Sequence, residues 1–330
     1  MDRGILETVG SPLVQVDAPR GSVIAAKVEA TNPAGSAKDR AAMAMIEAAE
    51  RAGELEPGDR IVEPSSGNTG IGLAMVAAAK GYDVTVAMPA SNSPERRRLV
   101  AAYGADLELV EGDISDARER ADELATADGA VRVRQFENPA NPEAHYRTTG
   151  AELVAQVGDR TVDALVAGVG TGGTISGVGR RLREAFPDVR LVAVEPAGSE
   201  VLSGGDTGEH SFQGMGPGFV SPNLERDLLD DVEVVDLETA EAECRRLARE
   251  EGILVGQSSG ASLVAAKRVA RELVEKRDVD ADVPPPDNDV GILDAEPPSR
   301  APIPESCPLV ATVFWDSGER YLSTEMFDAP

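Results

Sequence analysis

Arg60–Pro89, RIVEPSSGNTGIGLAMVAAAKGYDVTVAMP, spells out one complete strand–loop–helix–strand unit. RIVEP (60–64) and DVTVAMP (83–89) are short β-branched runs, and Thr69–Lys80 between them reads as a helix. A helix between two strands returns the chain to the end where it started. The second strand then lies parallel to the first, and the crossover is right-handed. Outward from this unit the alternation continues. Ser22–Ala30 (SVIAAKVEA) predicts a strand, and Asp39–Ala52 a helix that stops at Gly53. Downstream come helix Pro94–Tyr103, strand Asp106–Glu111, helix Ser115–Ala125, strand Val131–Phe136 and helix Pro142–Val157. The second half repeats the scheme with strand Val162–Gly170, helix Gly173–Ala185, and strands Val189–Pro196 and Asp231–Leu237. Helices Glu238–Glu251 and Ser259–Arg277 follow, and strand Leu309–Trp315 closes. The expected class is α/β, with mostly parallel twisted sheets flanked by helices.

The chain has 330 residues, enough for two domains at roughly 150 residues each. With 58 acidic against 32 basic residues its formal charge is −26. That argues against a general nucleic-acid binder and disfavours an anionic membrane surface. The acid is spread along the chain, and only five of the basic residues are lysine: Lys27, Lys38, Lys80, Lys267 and Lys276. The surface is either that of an ordinary acidic cytosolic protein or, as the scarce lysine favours, a halophile's, where salt screens the self-repulsion. The two cysteines, Cys244 and Cys307, have no CxxC spacing, so no disulfide framework or cysteine zinc site is expected. With only His145 and His210 as histidines, no metal site is expected either. The N-terminus MDRGILE has no apolar leader core, and a soluble cytoplasmic protein is expected. Asp278–Pro308 holds eight of the 22 prolines and eight acidic residues, and reads as a mobile insertion.

Three glycine- and serine-rich stretches follow predicted strands and open onto helices, where an α/β sheet places its ligands. In TNPAGSAKDR (31–40), Lys38 is either a surface charge or, if desolvated, a Schiff-base lysine. EPSSGNTG (63–70) is either an anion site of backbone N–H groups and hydroxyls or a capping turn. GVGTGGT (168–174) cradles a phosphate, or completes a dinucleotide fingerprint through Gly168, Gly170 and Gly173 with Glu195 as the ribose-binding acid. The fingerprint falls mid-chain and leaves the first two loops unexplained. His145 and His210 read as polar contacts, and Cys244 and Trp315 as packing.

Taken together and in order, NPAGSAKDR (32–40), EPSSGNTGIGLA (63–74), GVGTGGTISG (168–177) and GQSSGAS (256–262) resemble the fold-type II pyridoxal-phosphate enzymes, specifically the cysteine synthase (O-acetylserine sulfhydrylase) family. QFENPANPEAHYRTTGAE (135–152) and GERYLSTEMF (318–327) extend the resemblance from about Glu7 to Phe327, leaving out 278–308. It implies a two-domain, tryptophan synthase β-like architecture, with a smaller domain near 36–147 and a larger one of 1–35 plus 148–330. It implies that Lys38 carries pyridoxal 5'-phosphate and acts as the catalytic base. Asn68 would contact the cofactor's phenolic oxygen, Gly170, Thr171, Gly172, Gly173 and Thr174 its phosphate, and Ser258 its pyridine nitrogen. Ser65, Ser66, Gly67 and Thr69, helped by Gln135, would clasp the substrate carboxylate. The family usually has Thr where this chain has Ser65, which bears on fine substrate positioning. The implied reaction is β-replacement of an activated serine such as O-acetylserine by sulfide, through an aminoacrylate intermediate, to give cysteine, with thiosulfate as an alternative sulfur nucleophile. A homodimer is implied, with serine acetyltransferase as a further partner.

Within the family, NPAGSAKDRAAM, AHYRTTG and GERYLST look like the B-type enzyme, whereas NPANPEAH and FQGMGPGF (212–219) look like the A-type. Three rival readings stand beside this one. They are a cystathionine β-synthase-type replacement of serine's hydroxyl by homocysteine, an NAD-dependent dehydrogenase built on Gly168–Gly173, and an amino-acid-binding module whose Lys38 carries no cofactor.

Overall fold

The computed structural model describes residues 1–112, 114–277 and 306–328. Strands β1 (Leu13–Val16) and β2 (Val23–Val28) lead into helix α1 (Lys38–Ala52), which ends on a left-handed Gly53. Next come β3 (Arg60–Pro64), α2 (Asn68–Lys80), β4 (Asp83–Pro89), α3 (Pro94–Ala102), β5 (Asp106–Val110) and α4 (Ile114–Asp128). A π-turn at Tyr146–Gly150 joins α5 (Ala140–His145) to α6 (Ala151–Gln156). The remainder is β6 (Ala164–Gly168), α7 (Gly173–Ala185), β7 (Arg190–Pro196), β8 (Asp231–Val235), α8 (Leu237–Arg246), α9 (Gln257–Arg277) and β9 (Leu309–Phe314).

Two sheets result. Strands β3, β4 and β5 form a parallel three-stranded sheet, and a six-stranded sheet runs β1-β2-β9-β6-β7-β8. Every pair in the larger sheet is parallel except β1 with β2. Its β6 is buried at every position, as a continuous apolar strand requires when both faces are covered. Side-chain alternation divides the cover. Ile24, Val166, Val194 and Phe314 pack against α8 and α9, while Val23, Leu165, Leu191 and Val313 pack against Leu153 and the Ile175–Val178–Leu182 stripe of α7. The three-stranded sheet has α1 and α2 on one face through Ile46, Ile71 and Met75, and α4 on the other through Ala117 and Ala121.

The expected strand Val131–Phe136 does not form. Only one bridge, Ile61 to Val131, reaches the sheet. The N–H groups of Arg134 and Gln135 go instead to the buried Glu63 carboxylate, at 3.1 and 3.0 Å, and Arg134 adopts φ 54° to deliver them. A side chain has taken the donors that a ladder would need. The predicted insertion 278–308 lies almost wholly outside the described residues. Of its last three residues, Cys307 is buried in the core beside β9. Among the described residues no helix is long and apolar enough to cross a membrane.

Candidate active site

The carboxyl ends of β3 and β6 face one cavity of about 490 Å³ between the two sheets, a size suited to a small-molecule ligand. Lys38, Ser65, Ser66, Gly67, Asn68, Thr69 and Gln135 line it, as do Gly170, Thr171, Gly172, Thr174 and Ser258. Loops far apart in sequence thus meet around one cavity. Gly173 alone of the expected residues does not line it; it packs so close to the Asn141 carboxamide that a Cβ would not fit. Among the described lining residues there is no Asp or Glu, and the charged ones are Lys38 and Arg96.

Lys38 opens α1, with its Nζ 5.8 Å from the centre of the Trp315 ring. Burial pushes its ammonium pKa down, while the negative charges of Asp316 and Glu29 pull it back up. A lower pKa eases the proton loss that a lysine needs to act as nucleophile and base. The reading of Lys38 as a plain surface charge is therefore set aside.

Beneath the Ser65–Thr69 loop the hydrogen bonds explain its shape. The Ser65 hydroxyl accepts the N–H groups of Gly67 and Gly70, at 3.1 and 2.9 Å, and so caps the loop from inside. Thr69 Oγ1 donates to Gln135 Oε1 at 2.6 Å, and the Gln135 amide donates to the Pro64 carbonyl. With the Gly70 N–H spent on Ser65, Asn68 and Thr69 line the cavity with first-turn N–H groups that have no intrahelical acceptor, the makings of an anion site. Asn68 is held by Asp316 and Arg320 from the segment after β9.

Across the cavity, Gly172 takes a left-handed φ of 77° and turns the chain into α7, and a Cβ at Gly170 would lie 2.7 Å from the Gly214 carbonyl. Thr171 Oγ1 accepts from Asn141 at 3.0 Å, and Thr174 Oγ1 bonds His145 Nε2 at 3.1 Å. Burial drives the His145 pKa well below its usual value, so the ring is neutral and holds Thr174 in place. The dinucleotide reading fails here. The Glu195 carboxylate is buried and already accepts the N–H groups of Leu202 and Ser203, at 2.8 and 2.9 Å, leaving no ribose acid.

Several residues on or next to the cavity carried no local sequence signal. Trp315 walls the cavity as well as packing, and Tyr321 and His210 also line it. Arg96 is buried, packs over the Tyr321 ring at 5.0 Å and abuts Gly67. Asp316 lies just behind the wall. The segment GERY was visible in the sequence as a resemblance, but nothing local tied its Arg320 to Asn68, 252 residues away.

A family model of pyridoxal-phosphate dependent enzymes matches residues 6–281. A cysteine synthase of Staphylococcus aureus (strain Mu50) is 47% identical over 303 residues, spanning 91% of this chain and 88% of that protein. An O-ureido-L-serine synthase of Streptomyces lavendulae is 42% identical over 329 residues, 98% of this chain and 92% of its own length. Among solved structures, a cysteine synthase from Entamoeba histolytica has a TM-score of 0.86 at 32% identity, covering 100% of this chain and 92% of that one.

Proposed function

The chain belongs to the family of pyridoxal-phosphate dependent enzymes, and we propose that it makes cysteine by β-replacement on an activated serine. The Cβ–O bond to the leaving group breaks, and sulfide forms the Cβ–S bond. The observation that carries this reading is the acid-free cavity that gathers a desolvated lysine, a serine–asparagine–threonine loop and a glycine–threonine helix N-terminus.

The donor set fits pyridoxal phosphate. The first turn of α7 with Thr171 and Thr174 offers N–H and hydroxyl donors for a phosphate dianion. Ser258, a neutral hydroxyl, suits an unprotonated pyridine nitrogen, and Lys38 suits the aldehyde carbon. When bound, the cofactor supplies a conjugated electron sink that acidifies the substrate Cα–H and drives off the β-substituent. The chain's own residues do the rest. The Ser65–Thr69 loop holds the substrate carboxylate, and Gln135 braces Thr69. Lys38 Nζ takes the proton from Cα and is placed to return it once sulfur has bonded to Cβ. Residues 36–147, acting as a small domain, close over the substrate and exclude water.

The purified protein should be yellow, and borohydride should fix the chromophore on Lys38. With O-acetylserine and sulfide it should release cysteine and acetate. A colourless protein, or a label on another lysine, would refute the reading. Serine with homocysteine, O-phosphoserine with sulfide, and O-acetylserine with thiosulfate complete a panel compared by kcat/KM, which separates the donors and the A-type from the B-type preference. The same proposal makes the enzyme a cytoplasmic homodimer of a halophile, with serine acetyltransferase as partner. The halophile reading is supported by the −26 charge, and the protein's unfolding midpoint should fall when salt is dialysed away.

A further inference from the structure

The Asn68 carboxamide is gripped at both ends by the segment that follows β9. Its Oδ1 accepts from the Arg320 guanidinium, and its Nδ2 donates to Asp316 Oδ2 at 2.8 Å. Both grips are themselves anchored. Arg320 also donates to the Ala34 carbonyl, and the Tyr321 hydroxyl donates to the same Asp316 oxygen at 3.1 Å. Asp316, Arg320 and Tyr321 are all buried. An amide turned end for end would set nitrogen against guanidinium and oxygen against carboxylate, exchanging two charge-assisted bonds for two repulsive contacts. One orientation is therefore selected, and in it Nδ2 keeps a second hydrogen that no described residue accepts. Asn68 lines the cavity, so that hydrogen is available to a ligand. The other Asp316 oxygen, Oδ1, is buried without a partner, a cost that packing alone does not explain.

We propose that Asp316 and Arg320 are positioning residues that fix the Asn68 carboxamide so that its free N–H is donated to the phenolic oxygen of pyridoxal phosphate. The proposal rests on the reading of Asn68 as a cofactor contact. It adds a cross-sheet clamp to it, since Asn68 opens α2 beside the three-stranded sheet and the clamp follows β9 of the other. A hydrogen bond donated to the phenolic oxygen favours its ionised form, the form that carries the long-wavelength yellow band.

The test is a double-mutant cycle on the holoenzyme, read by absorbance at fixed pH and by the Kd for pyridoxal phosphate. Asn68→Ala and Asp316→Ala should each lose the same share of the yellow band and weaken cofactor binding about tenfold, the worth of one hydrogen bond to an ionised group. The double variant should lose no more than Asn68→Ala alone. Asp316→Asn, which keeps an oxygen for Nδ2, should restore most of the band. A band left intact in Asp316→Ala while the unfolding midpoint falls, or effects that simply add, would overturn the clamp. If Asp316→Ala does not fold, Arg320→Met takes its place in the cycle with the same expectation. A colourless parent protein would sink the cofactor reading itself, whereas a yellow parent with an indifferent clamp would sink the clamp alone.

Discussion

Lys38 and Arg40 stand two residues apart in the first turn of α1, and the fold treats their charges in opposite ways. Arg40 is buried and fully matched. Its guanidinium bonds Glu29 at 2.7 and 3.0 Å, Glu152 at 2.5 and 2.8 Å, and the Ser11 hydroxyl at 3.1 Å. Lys27, wholly buried in β2, joins the same cluster through Glu152 at 2.6 Å. Lys38, by contrast, makes no ion pair among the described residues and faces a cavity without acid. A matched charge holds the helix start in place; an unmatched one is left with free energy to gain from a ligand. One turn of helix therefore serves as anchor and reactive tip together.

The sharpest way to break that contrast is to remove each charge in turn. Lys38→Ala should cut β-replacement at least about 1,000-fold and abolish the borohydride label. In the cofactor-free form its unfolding midpoint should barely move, because no pair is lost. Arg40→Ala should do the reverse, costing about 3–5 kcal/mol in denaturant titrations by stranding Glu29 and Glu152. Turnover per folded, cofactor-loaded molecule should fall far less than in Lys38→Ala.

A smaller effect follows from pH. Burial works against the Glu152 carboxylate, but the hydrogen bond and charge of Arg40, and then those of Lys27, hold its pKa at about 2. The folded value lies below the ordinary glutamate value of 4.5, so this stabilisation is complete above that pH and drains away as pH falls towards 2. Glu152→Gln should accordingly flatten the pH dependence of stability between these limits, measured by the unfolding midpoint across the acid range. Smallest of all should be Ser65→Thr. The hydroxyl that accepts from Gly67 and Gly70 is retained, and KM for the amino-acid substrate should change by less than about threefold. Ser65→Ala, which removes the internal cap, should cost about 1 kcal/mol of loop order and raise KM.

Much of this was legible because the signals were local. The strands β3 and β4 and the helix α7 begin and end where their β-branched runs, glycines and prolines place them. The loops after β3 and β6 were recognisable because a helix N-terminus needs small hydroxyl and glycine residues there. What stayed hidden depends on partners distant in sequence. Val131–Phe136 has a strand's composition, but Glu63 takes its donors. Nothing within SVIAAKVEA marks Lys27 as buried; Glu152, 125 residues away, receives it. Asp316 and Arg320 sit in a short polar segment whose meaning appears only when β9 carries it beneath Asn68. The β1 hairpin arm was missed for a plainer reason: Leu13–Val16 is only four residues long.

The cysteines have a consequence of a different kind. Both are free and buried, and burial lifts the Cys244 thiol to about 12 and raises that of Cys307 as well. Thiol–disulfide exchange requires a thiolate, and neither side chain offers one to the solvent. An enzyme whose substrate is sulfide and whose product is itself a thiol is therefore built without a sulfur that its own chemistry could cap, and it should keep its titre of active sites unchanged in oxidised cysteine without added reductant.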